Sequence, residues 1–249
     1  MIRVLYFAAW ALLVGACKEQ PKDVLTAQEI VDRSIAISGG EKYSNSTISF
    51  SFRDMDYSST WENNKRKLSR TGVKDSVPFT DVLLNYKFER RQGDSVLKLS
   101  DSLANIYSNS LNSVHYFVHL PYGLNDPAVN KELLGETTVK DAPYYKIKIT
   151  FDEEGGGDDF EDVYVYWIHK NTFKVDYLAY QFHVNGGGIR FRAAYNERVI
   201  NGIRFVDYEN YKADPESVSI YDTDKLYEKG DLELLSKIIS ENVMVQPTD

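Results

Sequence analysis

The chain has 249 residues, 43% hydrophobic and 13% aromatic, and a formal net charge of -8 at pH 7. That length allows one large domain or two small ones with a sizeable core, and 27% charged residues without a low-complexity tract exclude a disordered chain. The acidic balance excludes nucleic acid, and an anionic lipid surface itself, as partners held by charge.

The N-terminus reads as a secretory signal. Arg3 precedes an apolar run from Val4 to Val14, and small residues follow before Cys17. The run is too short to span a bilayer as a helix. Val14-Gly15-Ala16-Cys17 resembles the bacterial lipobox, so residues 1–16 are expected to be removed and Cys17 to carry the lipid that attaches the protein to a membrane. It is the chain's one cysteine, which leaves no disulfide to stabilise the fold. Lys18 stands where Asp would signal inner-membrane retention, which points to the outer membrane of a Gram-negative bacterium. Lys18-Glu19 also resembles a short surface-export signal, so periplasmic and external facing both stay open. Residues 17–25 form a polar tether, and 26–249 a single domain with no internal linker or repeat.

Thr26 to Ser38 is a helix, with Thr26 and Glu29 at capping-box spacing and Gly39-Gly40 as its stop. Alternation through Ile48, Phe50 and Phe52 gives a strand; a second covers Thr60 to Arg70. A third starts near Asp81, and a Gly93-Asp94 turn joins it to Val96-Leu99. Ser100 to His119 is the strongest helix, with Leu103, Ile106, Tyr107, Leu111, Val114, Phe117 and Val118 at helical spacing. His115 and His119 fall on one flank at a spacing that can chelate zinc. No Glu follows His115, so a surface pair is expected and no metal is assigned.

A loop from Pro121 to Pro143 is expected to hold one helical turn near Val129-Leu134, before a strand from Tyr144 to Phe151. The acidic, glycine-rich Glu153 to Asp159 suits Ca2+ in its donors but lacks the EF-hand spacing, so it reads as a solvated turn. Toward the C-terminus a short strand around Val218-Tyr221, a helical turn within Asp222–Lys229 and one strand from Leu232 to Val245 are expected. The element pattern is α+β, mostly antiparallel β.

Phe160 to Lys212 reads as three long strands, the last two closed by the hairpin signal Asn201-Gly202. Pairing outward from Ile200–Ile203 sets Arg198 against Phe205, Asn196 against Asp207, Ala194 against Glu209 and Arg192 against Tyr211. That register gives a charged face with Arg190 beyond it, and an opposite core face of Phe191, Ala193, Tyr195, Val206 and Tyr208. The preceding strand adds Tyr177, Gln181 and His183 to the charged face and Leu178, Tyr180 and Phe182 to the core. The candidate ligand-binding set is therefore His183, Arg190, Arg192, Glu209, Asp207, Tyr211, Gln181 and Tyr177. Arginines beside aromatics compose a binding surface, and closely spaced guanidinium groups can hold an anion; a solvated face or a closed ion-pair network uses the same residues.

The segments NSVHYFVHLPYGLNDPAV, GGGDDFEDVYVYWIHKNTFKVDYLAY and GGGIRFRAAYNERVINGIRFVDYENY resemble a family of bacterial lipoproteins without an established activity, some of which carry a deoxyribose-phosphate aldolase label. The element order resembles the lipoprotein carriers of the Lol system. That resemblance implies a long curved sheet, a half-open barrel, covered by two or three helices. The aldolase label fails, because that enzyme is a βα-barrel and this chain runs strand after strand.

The resulting expectation is an envelope lipoprotein that binds a hydrophobic or amphiphilic ligand. A hydrolase-like enzyme around His183, Arg190 and Arg192, and a structural partner-docking lipoprotein, are the alternatives. No nucleophile elbow, phosphate loop or zinc signature supports the enzyme, and no cofactor is assigned.

Overall fold

The computed structural model describes residues 24–63, 65–183 and 186–248. The signal segment, Cys17, Lys18 and Glu19 lie outside the described residues. The capping box forms as the sequence dictates: the Thr26 side chain accepts from the Glu29 N–H, and the Glu29 carboxylate accepts from the Thr26 N–H, opening α1 (Ala27–Ser38). Ser100 caps α2 (Asp101–Val118) through the Leu103 N–H. A third helix, α3 (Thr223–Lys229), ends at Gly230, whose φ of 78° is the left-handed stop favouring glycine.

Six strands follow α1: β1 (Ser46–Phe52), β2 (Met55–Glu62), β3 (Lys65–Lys74), β4 (Val77–Leu84), β5 (Lys87–Gln92) and β6 (Ser95–Val96). Seven follow α2: β7 (Val129–Val139), β8 (Ala142–Phe151), β9 (Val163–His169), β10 (Val175–Phe182), β11 (Gly188–Ile200), β12 (Ile203–Ala213) and β13 (Glu233–Ile238). The last strand, β14 (Glu241–Pro247), leaves the second group and pairs with β1. The α+β, mostly antiparallel class holds. The expected single long sheet is two seven-stranded sheets, ordered β14-β1-β2-β3-β4-β5-β6 and β13-β12-β11-β10-β9-β8-β7, neither closed on itself.

Turn chemistry explains most corrections. The expected strand over Thr60–Arg70 is the β2–β3 hairpin, turning at Asn63 with φ 51°. The strand near Asp81 is also a hairpin, β4–β5, turned by Asn85 and Tyr86 at φ 47° and 67°. Lys140 and Asp141, at φ 48° and 63°, close β7 onto β8, so Val129–Leu134 is extended rather than a helical turn. None of these turns carries the glycine that marks the favoured two-residue hairpin. Phe160–Lys212 holds four strands, because β9 precedes the three expected. Val218–Tyr221 is not a strand; a 3-10 turn occupies Ile220–Asp222. The C-terminal strand is cut at Ile239-Ser240, where the chain changes sheets.

Helix α2 packs against both sheets. Leu111 and Val114 meet Phe50, Tyr57 and Leu68 of the first sheet. Tyr116 and Phe117 meet the core that α1 and the second sheet share, around Ile30, Val31, Ile147, Tyr166, Ile168 and Leu178. The opposite face of the second sheet packs Trp167, Ala179 and Phe191 against Ile220 and the α3 residues Leu226 and Tyr227. Tyr43, Ile48, Phe205 and Val245 fill the seam where the sheets meet.

Candidate functional site

One residue decides which side chains meet. The Asn201-Gly202 turn pairs Ile200 with Ile203 and Arg198 with Phe205, as expected. The register then slips between Tyr195 and Arg198, with Asn196 at φ 50°. Beyond this bulge Tyr195 faces Asp207, Ala193 faces Glu209, Arg192 faces Asn210 and Phe191 faces Tyr211. A one-residue slip moves every later side chain of the strand to the other face, and bulges re-aim side chains in this way. Asn196, Ala194 and Arg192 are not the strand partners of Asp207, Glu209 and Tyr211, and the eight candidate residues do not share one face.

Tyr177, Asp207, Glu209 and Tyr211 stay on one side, and Gln181 shares it through its pairing with Ile189. Their polar groups are largely occupied. Asp207, 1% exposed, accepts from Asn196 at 2.6 Å, Arg198 at 3.0 Å and the Ser240 N–H at 3.0 Å, which pins the crossover between the sheets. Tyr211 donates to Glu209 at 2.7 Å, and Lys237 pairs with Glu209 at 3.4 Å. Tyr177, Phe191 and Tyr211 all pack against Tyr227 of α3. This half of the expected cluster holds the fold together.

Arg190 and Arg192 turn to the opposite, core-facing side with Leu178, Tyr180 and Phe182. Arg192 is 8% exposed. Its guanidinium carbon lies 3.6 Å from the centre of the Phe117 ring and 5.3 Å from that of Tyr180, and Nη2 donates to the Tyr180 hydroxyl at 3.1 Å. Its Nε–H is buried with no partner. Arg190 lies 4.9 Å from the Phe182 ring and donates to the Ile189 carbonyl. Among the described residues neither arginine pairs with a carboxylate. Arg204, on the same face, has both Glu197 at 2.8 Å and Asp176 at 3.3 Å. Buried charges are ordinarily paired, and an orphaned buried polar group calls for an explanation.

Asp162 approaches His183 at 3.6 Å, and burial, then the charge of Asp159, raises the Asp162 carboxyl to about 6. Next to them is a cavity of about 90 Å3, lined on α2 by Asn109, Asn112, Ser113, Tyr116 and Phe117 and on the sheet by Phe151 and Tyr164. The acidic glycine-rich turn closes it: Gly156, Gly157, Asp158 and Asp159 line the cavity, and Asn109 donates to Asp158 at 3.0 Å. A Cβ on Gly156 would lie 2.2 Å from the Asp152 carbonyl oxygen, so only glycine lets the turn fold this tightly. Phe117 borders both the cavity and the Arg192 guanidinium.

The sequence reading missed Phe117, Tyr164, Tyr180 and Asp162 as parts of a site. Phe117 sits in the apolar stripe of α2 and reads as ordinary core. The usable signal was in β11, where adjacent polar residues at Asn196-Glu197 break the alternation. The histidine pair of α2 is also corrected: His115 and His119 are 0% and 2% exposed. His119 contacts Ser59 at 3.2 Å and Arg66 at 2.6 Å, and His115 contacts the Ser69 carbonyl. Burial, then the positive charge of Arg66, lowers His115 to about 3 and holds His119 well below its usual value. Among the described residues no cluster suited to a metal ion forms, and no helix is long and apolar enough to cross a membrane.

A LolA superfamily protein from Nitrosomonas europaea is similar in structure, with a TM-score of 0.47 and 13% identity over 91% of this chain and 93% of that one. A DUF1329 family protein from Desulfovibrio piger gives a TM-score of 0.47 and 12% identity over 89% and 93%. Comparison with curated proteins finds no match. Residues 24–240 match the model of a family of unknown function, DUF6503, and the chain belongs to that family.

Proposed function

We propose that the protein is a lipid-anchored envelope protein that binds a hydrophobic or amphiphilic ligand between α2 and the second sheet. The observation that carries this reading is the composition of the cavity: Tyr116, Phe117, Phe151 and Tyr164 make its apolar surface, and Asn109, Asn112, Ser113 and the Gly156–Asp159 turn its polar rim. A lining that is more polar than apolar, with aromatic rings on one side, suits the head and the first carbons of an amphiphile. The signal segment and the lipobox ending in Cys17 support lipid anchoring, and Lys18 in place of a retention Asp supports the outer membrane.

The cavity, about 90 Å3, is smaller than the roughly 300–1,000 Å3 of a typical ligand pocket. A chain of any length therefore enters only as the α2 rings Tyr116 and Phe117 move off Tyr164 and Tyr180, with which they make tilted and edge contacts. The alternative of a hydrolase-like site would use His183, Arg190 and Arg192, yet among the described residues His183 has no serine or threonine hydroxyl as a hydrogen-bond partner.

Native mass spectrometry of the protein isolated from its own envelope tests the reading. We expect a co-purifying mass of a lipid or free amphiphile, lost after delipidation and regained on adding envelope lipid extract. Bare protein before and after that addition overturns it.

A further inference from the structure

The unpaired charge beside the cavity specifies the ligand further. We propose that Arg192, with Arg190 next to it, receives the anionic head of the ligand, so that the site selects an amphiphile with a negatively charged headgroup over a neutral one of the same chain. The inference rests on the cavity being a binding site, as read above.

Three observations carry it. Arg192 is nine-tenths buried, and among the described residues its Nε–H has no partner and its side chain hydrogen-bonds only to the Tyr180 hydroxyl. Arg190, two positions away on the same face, also has no carboxylate among the described residues; its guanidinium meets the Phe182 ring and a backbone carbonyl. The Phe117 ring that covers Arg192 at 3.6 Å also lines the cavity. Moving one ring would therefore join the cavity to the guanidinium. A cation held only by ring faces and a hydroxyl gains more from a carboxylate or phosphate, because charge-assisted hydrogen bonds are about twice as strong as neutral ones. The guanidinium fork accepts either acid.

The acidic groups nearby do not meet this need. Asp162 turns to His183, and Asp158 accepts from Asn109. Asp158 and Asp159 put negative charge on the turn that lines the cavity. An anionic head is thus favoured only once it has passed that turn and reached the arginines.

The experiment is a binding series on the purified full-length protein with oleate, oleyl alcohol and lysophosphatidylglycerol, read by titration calorimetry. We expect an anionic probe to bind at least tenfold more tightly than oleyl alcohol. Arg192→Met is expected to remove that preference and leave oleyl alcohol binding within about twofold. Arg192→Lys, which keeps the charge without the fork, should retain part of it. Preference for oleate alone assigns a carboxylate head, and preference for the lysophospholipid a phosphate head. Equal binding of anionic and neutral probes to the wild type overturns this inference and leaves the binding function standing. So does an anionic preference that survives in folded Arg192→Met, with folding checked by circular dichroism. Absence of binding by all three probes sinks both.

Discussion

Helix α2 places one aromatic ring over an arginine of each sheet, and the two arginines live in different circumstances. In the first sheet Tyr107 covers Arg90, with 3.6 Å from guanidinium carbon to ring centre. In the second sheet Phe117 covers Arg192 at the same 3.6 Å. Arg90 donates twice to the fully buried Asp81, at 2.6 and 2.8 Å, and Arg70 donates to the same carboxylate at 2.8 Å. Among the described residues Arg192 donates to Tyr180 alone. The lesson is that ring-over-guanidinium packing is common ground for both sheets. The carboxylate separates a finished structural network from a site still short of one charge.

The largest expected effect lies in the finished network. Asp81→Asn leaves two buried guanidinium groups without their shared anion and is expected to cost about 3–5 kcal/mol in urea unfolding. A cost below about 1 kcal/mol would erase the distinction between the two sheets.

Acid should act next, through the histidines on the first-sheet side of α2. His115 and His119 are buried and neutral, packed against Phe50, Tyr57 and Arg66. Their folded pKa values lie below the unfolded value of about 6.5, so the unfolded chain takes up protons first as pH falls. Their stabilisation is complete above pH ~6.5 and is lost downward toward the folded value of about 3 for His115, at about 1.4 kcal/mol per pH unit for each histidine. Urea midpoints measured from pH 7 to 5 should show this slope, and His115→Phe should remove one histidine's share. A wild-type slope unchanged by that substitution would place the acid sensitivity elsewhere.

A smaller difference is expected between the two covering rings. Phe117→Leu gives up the main contact of Arg192, about 2 kcal/mol, and Tyr107→Leu a contact of Arg90 that the Asp81 pairs back up, about 0.5–1 kcal/mol. Thermal unfolding of the two variants measures the gap. An equal loss would mean that Arg192 leans on its ring no more than Arg90 does.

Much of the fold was legible because its signals are local. Thr26 with Glu29, and Ser100 before a long 3.6-residue pattern, fixed α1 and α2. Asn201-Gly202 fixed one hairpin outright. The turns at Asn63, Asn85-Tyr86 and Lys140-Asp141 were missed because non-glycine residues take left-handed backbone there. The division into two sheets was hidden in Ile239-Ser240, whose reach across to β14 depends on a tertiary hydrogen bond donated by the Ser240 N–H to Asp207. Arg190 and Arg192 were singled out for their chemistry, but their setting was inverted. The Asn196 bulge puts them among Leu178, Tyr180 and Phe182 and parts them from Asp207, Glu209 and Tyr211. Local spacing reports which residues alternate; a single extra residue decides with whom.

The comparison turns most directly on the stability of Arg192→Met, measured by urea unfolding with and without oleate. In the ligand-free protein the variant should lie within about 1 kcal/mol of the wild type or above it, because an apolar chain of similar size replaces a buried charge with no counter-ion. The same concentration of oleate should then raise the wild-type midpoint clearly more than the variant's, which keeps only the weaker binding of a neutral amphiphile. A ligand-free loss as large as that of Asp81→Asn, or an equal rise with oleate in both proteins, would contradict an arginine kept open for an anion.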